Sequence, residues 1–504
     1  MNRAKEAVCP YCCKKYSPSN MWFRLERPLT SGEGDGLEQD YVDEKLKAYY
    51  MEFEHYDEIG AENAARIKAG GREAVCIDLA NEASAVTDLD TRMLDEYGFV
   101  TELTYKGQHL TRRLCPHCHN EAVPGAGMYD MKMIGLYGDT FAGKTVFLTV
   151  LEALLKGDPR ISEYSGSFHG GMAFRGSDEE KENHTRNYEQ LIGNKTLFDA
   201  TMKGMRVPPQ SFLFKYKTAD NAGRYKELLV VFCDIPGEDT GAVRGLRASG
   251  FYLKYVDGIL ALLDSTRLVN VAPFMKGEAD AETNADASGG NAMRAVDAIS
   301  TLSDYLASTS LGQKIPIPTA VVMTKLDMLK NISDVAADEG YRKFINVPDA
   351  NSIHISFLNK KVIDNLNKAV KNLVGKLGGQ LYCNTVDQCF ANYKYFAVSA
   401  LGKATEKETV SLMGGGETVV KRVKGNLEPF RVTEPFYWLL AQWSCIPYRY
   451  REVWMDKKGK KELVEFYYYA WEQNGTANRR LQEIRASKKI KEGKWRCIER
   501  DNAI

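Results

Sequence analysis

The 504-residue sequence predicts an α/β fold: a doubly wound, mostly parallel sheet, preceded by a split cysteine-knuckle module with a small α+β lobe inserted in it. Three observations predict this. An apolar run, Met133-Ile134-Gly135-Leu136-Tyr137, leads through Gly138-Asp139-Thr140-Phe141-Ala142-Gly143-Lys144-Thr145 into an amphipathic stretch, a strand, loop and helix in succession. Further apolar runs at 228–233, 258–264, 319–323 and 395–398 alternate with helical stretches, as parallel strands buried on both faces do. Two C-P-x-C knuckles stand ahead of the first strand.

Composition sets the bounds. The length suggests two to four domains, and 44% hydrophobic with 27% charged residues is ordinary for a globular chain with a sizeable core. Net charge is zero, so no global field draws the chain to nucleic acid or anionic lipid. No apolar run reaches the roughly 18 residues of a membrane span, and Met1-Asn2-Arg3-Ala4-Lys5 is not followed by the apolar segment of a signal peptide. The expectation is a cytoplasmic protein. Eleven cysteines, four of them in paired knuckles, fit reduced thiols and metal better than a disulfide framework.

Cys9-Pro10-Tyr11-Cys12 and Cys115-Pro116-His117-Cys118 are separated by 102 residues. Each presents two thiolates on a tight turn, and two such turns make a tetrahedral Cys₄ zinc site. Residues 1–16 and 112–127 are therefore read as one zinc ribbon, split by a lobe at 17–111. Cys13, His117 and His119 are possible substitute ligands, and redox-active dithiols are the alternative chemistry. Within the lobe, Leu37 to Ile67 has helical spacing of Tyr41, Leu46, Tyr49, Tyr50 and Phe53, a stripe that reads as core, while 74–77 and 99–105 read as strands.

Residues 128–444 hold the doubly wound sheet. In its G-x-x-x-x-G-K-[ST] loop, glycines turn backbone N–H groups inward at the positive end of a helix, so Gly138, Asp139, Thr140, Ala142, Gly143, Lys144, Thr145 and Val146 form a phosphate cradle. Lys144 reaches the outer phosphates and Thr145 holds Mg²⁺. The polar interval 157–204 has a helical part at 178–192, and Val207-Pro208-Pro209-Gln210-Ser211 precedes a strand at 212–217. The strand 228–233 delivers Asp234-Ile235-Pro236-Gly237-Glu238 at its carboxyl end, where doubly wound sheets put their chemistry. The strand 258–264 ends in Asp264, and a Gly, Ala and Asp-rich loop runs from there to about 290. After a helix at 292–306, the strand 319–323 ends in Thr324-Lys325-Leu326-Asp327, the mostly helical, Lys-rich stretch 330–393 is an insertion, and 395–398 leads into Ser399-Ala400-Leu401. A helix at 435–443 closes the layer. The extension 445–504 is basic, with Trp454, Tyr467, Tyr468, Tyr469, Trp471 and Trp495 interleaved. It reads as a hairpin packed on the domain and a solvated basic helix, more readily than as a surface for single-stranded nucleic acid.

These strand-end motifs, taken in order, resemble the set of the Ras-like P-loop GTPases over roughly Met131 to Ser444. The resemblance implies GTP or GDP as ligand: Asp327 accepts from the guanine N1 and N2 donors, Lys325 lies along the base, and the backbone at Ser399, Ala400 and Leu401 meets the guanine oxygen. Asp234 holds Mg²⁺ through water, and the Gly237 N–H senses the γ-phosphate. Glu238 stands where many members carry a Gln that orients the attacking water, which implies slow intrinsic hydrolysis and help from outside, such as a partner's arginine; Arg244 and Arg247 could act in cis. Ser211 is the candidate first-switch residue, meeting Mg²⁺ and the γ-phosphate, with Thr196 and Thr201 as alternatives. Thr324 replaces the usual Asn and loosens the bonding between loops.

A split zinc ribbon, a P-P-x-[ST] first switch, Asp234-x-x-Gly237-Glu238-Asp239 and Glu434-Pro435-Phe436 together look like the bacterial double-GTPase families of predicted conflict or defence systems. That resemblance implies a molecular switch whose partner is a second GTPase or a GTPase-activating-like protein. The competing readings are an ATPase or other P-loop NTPase, and a zinc-ribbon scaffold that binds nucleic acid.

Overall fold

The computed structural model describes residues 7–17, 20–24, 42–69, 74–78, 89–94, 100–105, 108–140, 142–161, 171–176, 178–198, 208–218, 225–235, 237, 240, 243–275, 290–307, 313–332, 335, 338, 341–342, 353–354, 357–403, 405–411, 417–487 and 495–500. Its centre is a seven-stranded sheet of β1 (Asp130–Gly138), β2 (Gly171–Arg175), β3 (Gln210–Tyr216), β4 (Lys226–Asp234), β5 (Gly258–Asp264), β6 (Thr319–Thr324) and β7 (Tyr393–Ala397). The spatial order is β2-β3-β4-β1-β5-β6-β7. From β4 to β7 every pairing is parallel; β2 and β3 add an antiparallel edge.

The central strands are apolar throughout because helices cover both faces. Successive residues divide between two cores. Ile134, Leu136, Val230, Phe232, Leu260 and Leu262 pack with α1 (Lys144–Lys156) and with the closing helix Glu434–Gln442. Met133, Tyr137, Val231, Cys233, Ile259 and Leu263 pack with α2 (Val243–Ser249), α3 (Gly290–Ala307), α4 (Lys360–Val374) and α5 (Gln380–Cys389). Burying the aliphatic and aromatic side chains of these two cores, at about 1.5–3 kcal/mol for each large one, is what offsets the entropy of fixing these strands and helices. Because β1 lies in the middle, its carboxyl end opens onto the crevice between neighbours that leave it in opposite directions.

The structure differs from the sequence reading in several places. The helix expected over 37–67 is two helices, Glu44–Phe53 and Glu58–Ala69; Asp43 caps the first by accepting from the Lys45 and Leu46 N–H groups, both at 3.1 Å. The edge strand β2 lies in an interval read only as polar. Beyond Ser399, strands Thr405–Ser411 and Glu417–Val423 form a hairpin that pairs back to residues 195–197. In the extension, strands Tyr448–Asp456 and Lys461–Tyr468 form the hairpin and Gln473–Ser487 the helix, while Trp495–Arg500 returns to pair with the first of those strands. Glu452 is fully buried there and gathers Arg485, Arg500, Tyr450 and the Trp454 N–H.

The cysteine module and lobe pack against the sheet domain. Cys13 belongs to the same buried cluster as Leu246, Leu253 and Tyr305, the Phe53 and Phe251 rings lie 4.7 Å apart, and the Tyr11 hydroxyl donates to Glu180 at 3.0 Å. No described helix is long and apolar enough to cross a membrane.

Candidate functional site

The phosphate loop turns on glycine. Gly143, at φ 82°, is left-handed, a conformation an L side chain resists, and it starts α1 with no side-chain cap and no acidic residue in the first turn. The first N–H groups of α1 therefore remain available for an anion, at the positive end of the helix. Lys144 is buried and its Nζ donates to the Gly138 carbonyl at 3.0 Å, which folds the ammonium over the loop. Thr145 and Val146 follow, half-buried, in the first turn. Phe141 lies outside the described residues.

Asp234 ends β4 in register with Leu136 of β1, two residues before the loop. Its Oδ1 is buried without a hydrogen-bond partner. Burial pushes the carboxyl up to about 6, against the opposing pull of Lys144 and the Ile235 N–H. A buried carboxylate oxygen short of a partner, within reach of the Lys144 charge, fits a hard divalent cation held directly or through water. Gly237 sits against the loop so closely that a Cβ there would stand 2.3 Å from the Thr140 nitrogen. Only glycine fits, so the residue expected to sense the outer phosphate does lie at the phosphate loop.

The third and fourth motifs close the site from the other side. The Thr324 hydroxyl donates to the Ala142 carbonyl at 3.0 Å, with the Leu263 carbonyl at 3.4 Å as the competing acceptor. The threonine thus keeps the tie to the phosphate loop that the sequence reading expected it to loosen. Lys325 is left-handed at φ 58°, and its Nζ is bonded to Asp264 Oδ2 at 2.7 Å. Ser399, buried, donates its hydroxyl to Asp327 Oδ1 and receives the Gly402 N–H at 2.9 Å. Leu326 N–H reaches the Val398 carbonyl at 3.1 Å, which fastens the Asp327 loop to the end of β7; Ala400 and Leu401 follow, half-buried. One oxygen of Asp327 is thereby oriented by Ser399, so the carboxylate is held as a planar acceptor.

Two candidates part from this arrangement. Ser211 is a buried rung of β3, paired with Arg175 on one side and Val231 on the other. That pairing makes residue 208, not 211, level with Asp234, so Ser211 stands about 10 Å back along the sheet at 3.3 Å per residue. A strand register locked on both sides is the reason it does not reach the loop. Thr196 is instead bridged to Arg422, and Thr201 and Glu238 lie outside the described residues. The residues that sequence reasoning missed are Asp264 and Arg267, which pack beneath the loop. Asp264 accepts from the Thr266 N–H at 3.0 Å and from Lys325, and these partners with Arg267 hold its carboxyl below the usual range despite burial. An Asp at the carboxyl end of a buried strand, as with Asp234, was the available signal.

At the other end of the chain the sulphurs of Cys9, Cys12, Cys115 and Cys118 lie within 4.8 Å of one another, all buried. Cys9 and Cys118 are 3.7 Å apart, Cys12 and Cys115 3.8 Å. A tetrahedron with metal–sulphur bonds of about 2.3 Å has edges of about 3.8 Å, so the pocket has the size of a zinc ion. The two knuckles are alike: Cys13 N–H returns to the Cys9 carbonyl at 2.8 Å and His119 N–H to the Cys115 carbonyl at 3.0 Å, with Cys13 and His119 both left-handed. None of the three substitutes joins the cluster of four sulphurs. Cys13 points into the sheet-domain core, the His117 ring meets the Lys15 carbonyl, and His119 Nδ1 meets Asp43 at 2.8 Å. Asp43 also takes Arg24 at 2.8 Å, and Arg24 donates to the His119 carbonyl at 3.2 Å, which ties the lobe to the second knuckle.

No protein-family model matches the chain, and no curated protein does. Among solved structures it is similar to the signal recognition particle receptor SRb-GTP/SRX complex from Chaetomium thermophilum, at 13% identity and a TM-score of 0.25, over 54% of this chain and 92% of that one. The S. cerevisiae Ski7 GTPase-like domain, bound to GTP, matches at 11% identity and a TM-score of 0.27, over 65% of this chain and 54% of its own. The G domain of the T. maritima FeoB iron transporter matches at 12% and 0.17, over 43% and 82%. At these scores the likeness says nothing of activity. The parallel-rich sheet, with its motifs gathered at the carboxyl ends of the strands, fits a P-loop GTPase on its own geometry.

Proposed function

We propose that this protein is a GTP-binding, Mg²⁺-dependent molecular switch with slow GTP hydrolysis, carrying a structural Cys₄ zinc ribbon and acting with a protein partner in a bacterial signalling or defence assembly. One observation carries the reading most: Asp327, bonded to Ser399 and placed on a loop that Thr324 ties to the phosphate loop. A lone phosphate loop serves any nucleoside triphosphate, whereas an oriented carboxylate acceptor beside it suits guanine, whose N1 and N2 both donate on one edge.

In this reading the α1 N-terminus and Lys144 bind the phosphates, and Thr145 and Asp234 hold the cation, which when bound neutralises charge on the outer phosphate oxygens. Gly237, pressed on Thr140, must give way when a γ-phosphate enters, and that displacement is the switch. The Tyr137 hydroxyl links the strand before the loop to the Ala298 carbonyl at 2.7 Å and the Thr240 carbonyl at 3.0 Å, so movement at 237–240 is felt under α3. Slow turnover follows from a carboxylate, Glu238, in place of an amide at the water-orienting position, and a partner supplies the missing positive charge. The four sulphurs at zinc spacing support the ribbon.

The test is displacement of fluorescent GDP from purified protein in Mg²⁺. The reading expects GTP to outcompete ATP by at least about a hundredfold, the discrimination that unpaired buried polar groups impose on a wrong base. Equal competition by ATP would replace it with another P-loop NTPase.

A further inference from the structure

Arg267 closes the short turn Ser265–Arg267 that leaves β5, 9% exposed. Its guanidinium donates to Asp139 Oδ2 at 2.5 Å, and its Nε stands 3.7 Å from Asp264 Oδ2. Asp264 in turn takes the Lys325 ammonium at 2.7 Å. Four charges of alternating sign, Asp139, Arg267, Asp264 and Lys325, thus run beneath the site from the phosphate loop to the third motif.

The first of them is out of place by its sign. Asp139 is the second residue of a loop whose N–H groups are there to meet phosphate oxygens, and its Oδ1 already consumes the Thr140 N–H at 2.7 Å. Its carboxylate is only 16% exposed, so water screens it poorly. A bare anion there repels each phosphate charge that enters. Arg267 cancels it, and the pair lines a small cavity together with Tyr137, Ala295, Ala298 and Tyr382.

We propose that Arg267 is a positioning residue for polyphosphate: it neutralises Asp139 and holds that carboxylate down, so that the loop remains receptive to a nucleoside di- or triphosphate. The inference rests on the nucleotide-binding reading above but not on the choice of base. Its signature is a dependence on phosphate number, which a residue important only for folding would not show.

The experiment measures affinities of the full chain for guanosine, GDP and GTP, and for ADP and ATP, at low and moderate salt. Arg267→Gln is expected to weaken triphosphate by at least about tenfold, diphosphate by less and the nucleoside not at all, with the loss shrinking as salt rises. Adding Asp139→Asn is expected to restore triphosphate affinity to within about threefold of wild type, since the charge needing compensation is gone. Arg267→Lys should recover part of the loss. An Arg267→Gln protein that binds like wild type, or a double variant as weak as the single one, overturns the proposal. Should Arg267→Gln not fold, Asp139→Asn alone decides: triphosphate bound at least as tightly as by wild type supports the proposal, and a tenfold loss refutes it. If the wild type binds ATP as well as GTP, the guanine reading fails while the phosphate-number pattern still judges Arg267.

Discussion

Asp234 carries two opposed demands, and its environment records both. A ligand for a divalent cation must be ionised, yet burial raises this carboxyl from its ordinary value of 3.8 to about 6, with Lys144 pulling the other way. A folded-state pKa above the unfolded one means the folded chain binds the proton more tightly. Its contribution to stability is therefore complete below about pH 4 and lost as pH rises through 6, by roughly 3 kcal/mol for a shift of this size. In protein free of nucleotide and Mg²⁺, Asp234→Asn should unfold at a higher denaturant concentration than wild type at pH 8 and at nearly the same one at pH 4, while losing the Mg²⁺ dependence of nucleotide binding. Denaturation curves at the two pH values decide this, and a parallel pH dependence in both proteins would show that Asp234 is not the titrating group. The places of Lys144 and Thr145 at a helix start, and of Asp234 at a strand end, were legible because each stands in a local motif. Arg267 was not, because its partner Asp139 is 128 residues away and only the sheet order brings them together.

At the scale of elements, the paired cysteine knuckles show how far a local signal reaches. Each C-P-x-C specifies its own turn, down to the left-handed residue that follows the second cysteine, so the knuckles could be read singly. Their union across 102 residues depends on the lobe, whose Arg24 and Asp43 meet His119 beside the second knuckle. A metal site assembled from two distant segments stabilises the fold by its own binding free energy. The wild type is expected to carry one zinc per chain, and Cys115→Ser with Cys118→Ser to lose it and melt at a lower temperature with the Trp22 environment altered. Metal analysis that finds no zinc in the wild type would dispose of the ribbon. Elsewhere the strand–helix alternation was legible because apolar runs four to seven residues long bounded by polar motifs admit few other readings. The edge strand β2 escaped it, since Gly171-Met172-Ala173-Phe174-Arg175 is short and gains its place only by pairing with β3. Ser211 differs from expectation for a related cause: the strand already begins at Gln210, directly after the prolines at 208 and 209, and its pairing on both sides fixes Ser211 within the sheet.

For the whole molecule, the site is a property of the sheet's order. Setting β1 between β4 and β5 brings Asp234 to one side of the phosphate loop and Asp264 to the other, and β6 and β7 then deliver Thr324, Asp327 and Ser399 to the same edge. The cysteine module and lobe rest on the chain at Leu246 to Leu253, through Cys13 and the Phe53–Phe251 contact, and on the helix Asp178–Tyr188 through Tyr11 and Glu180. Reading of the base is assigned to Asp327, and one comparison addresses that directly: the ratio of GTP to ATP affinity in wild type and in Asp327→Ala, both in Mg²⁺. The guanine preference is expected to fall by at least about a hundredfold in the variant, with ATP affinity nearly unchanged because adenine makes no use of a paired acceptor. A preference that survives the substitution, or a wild type with none, would contradict that assignment.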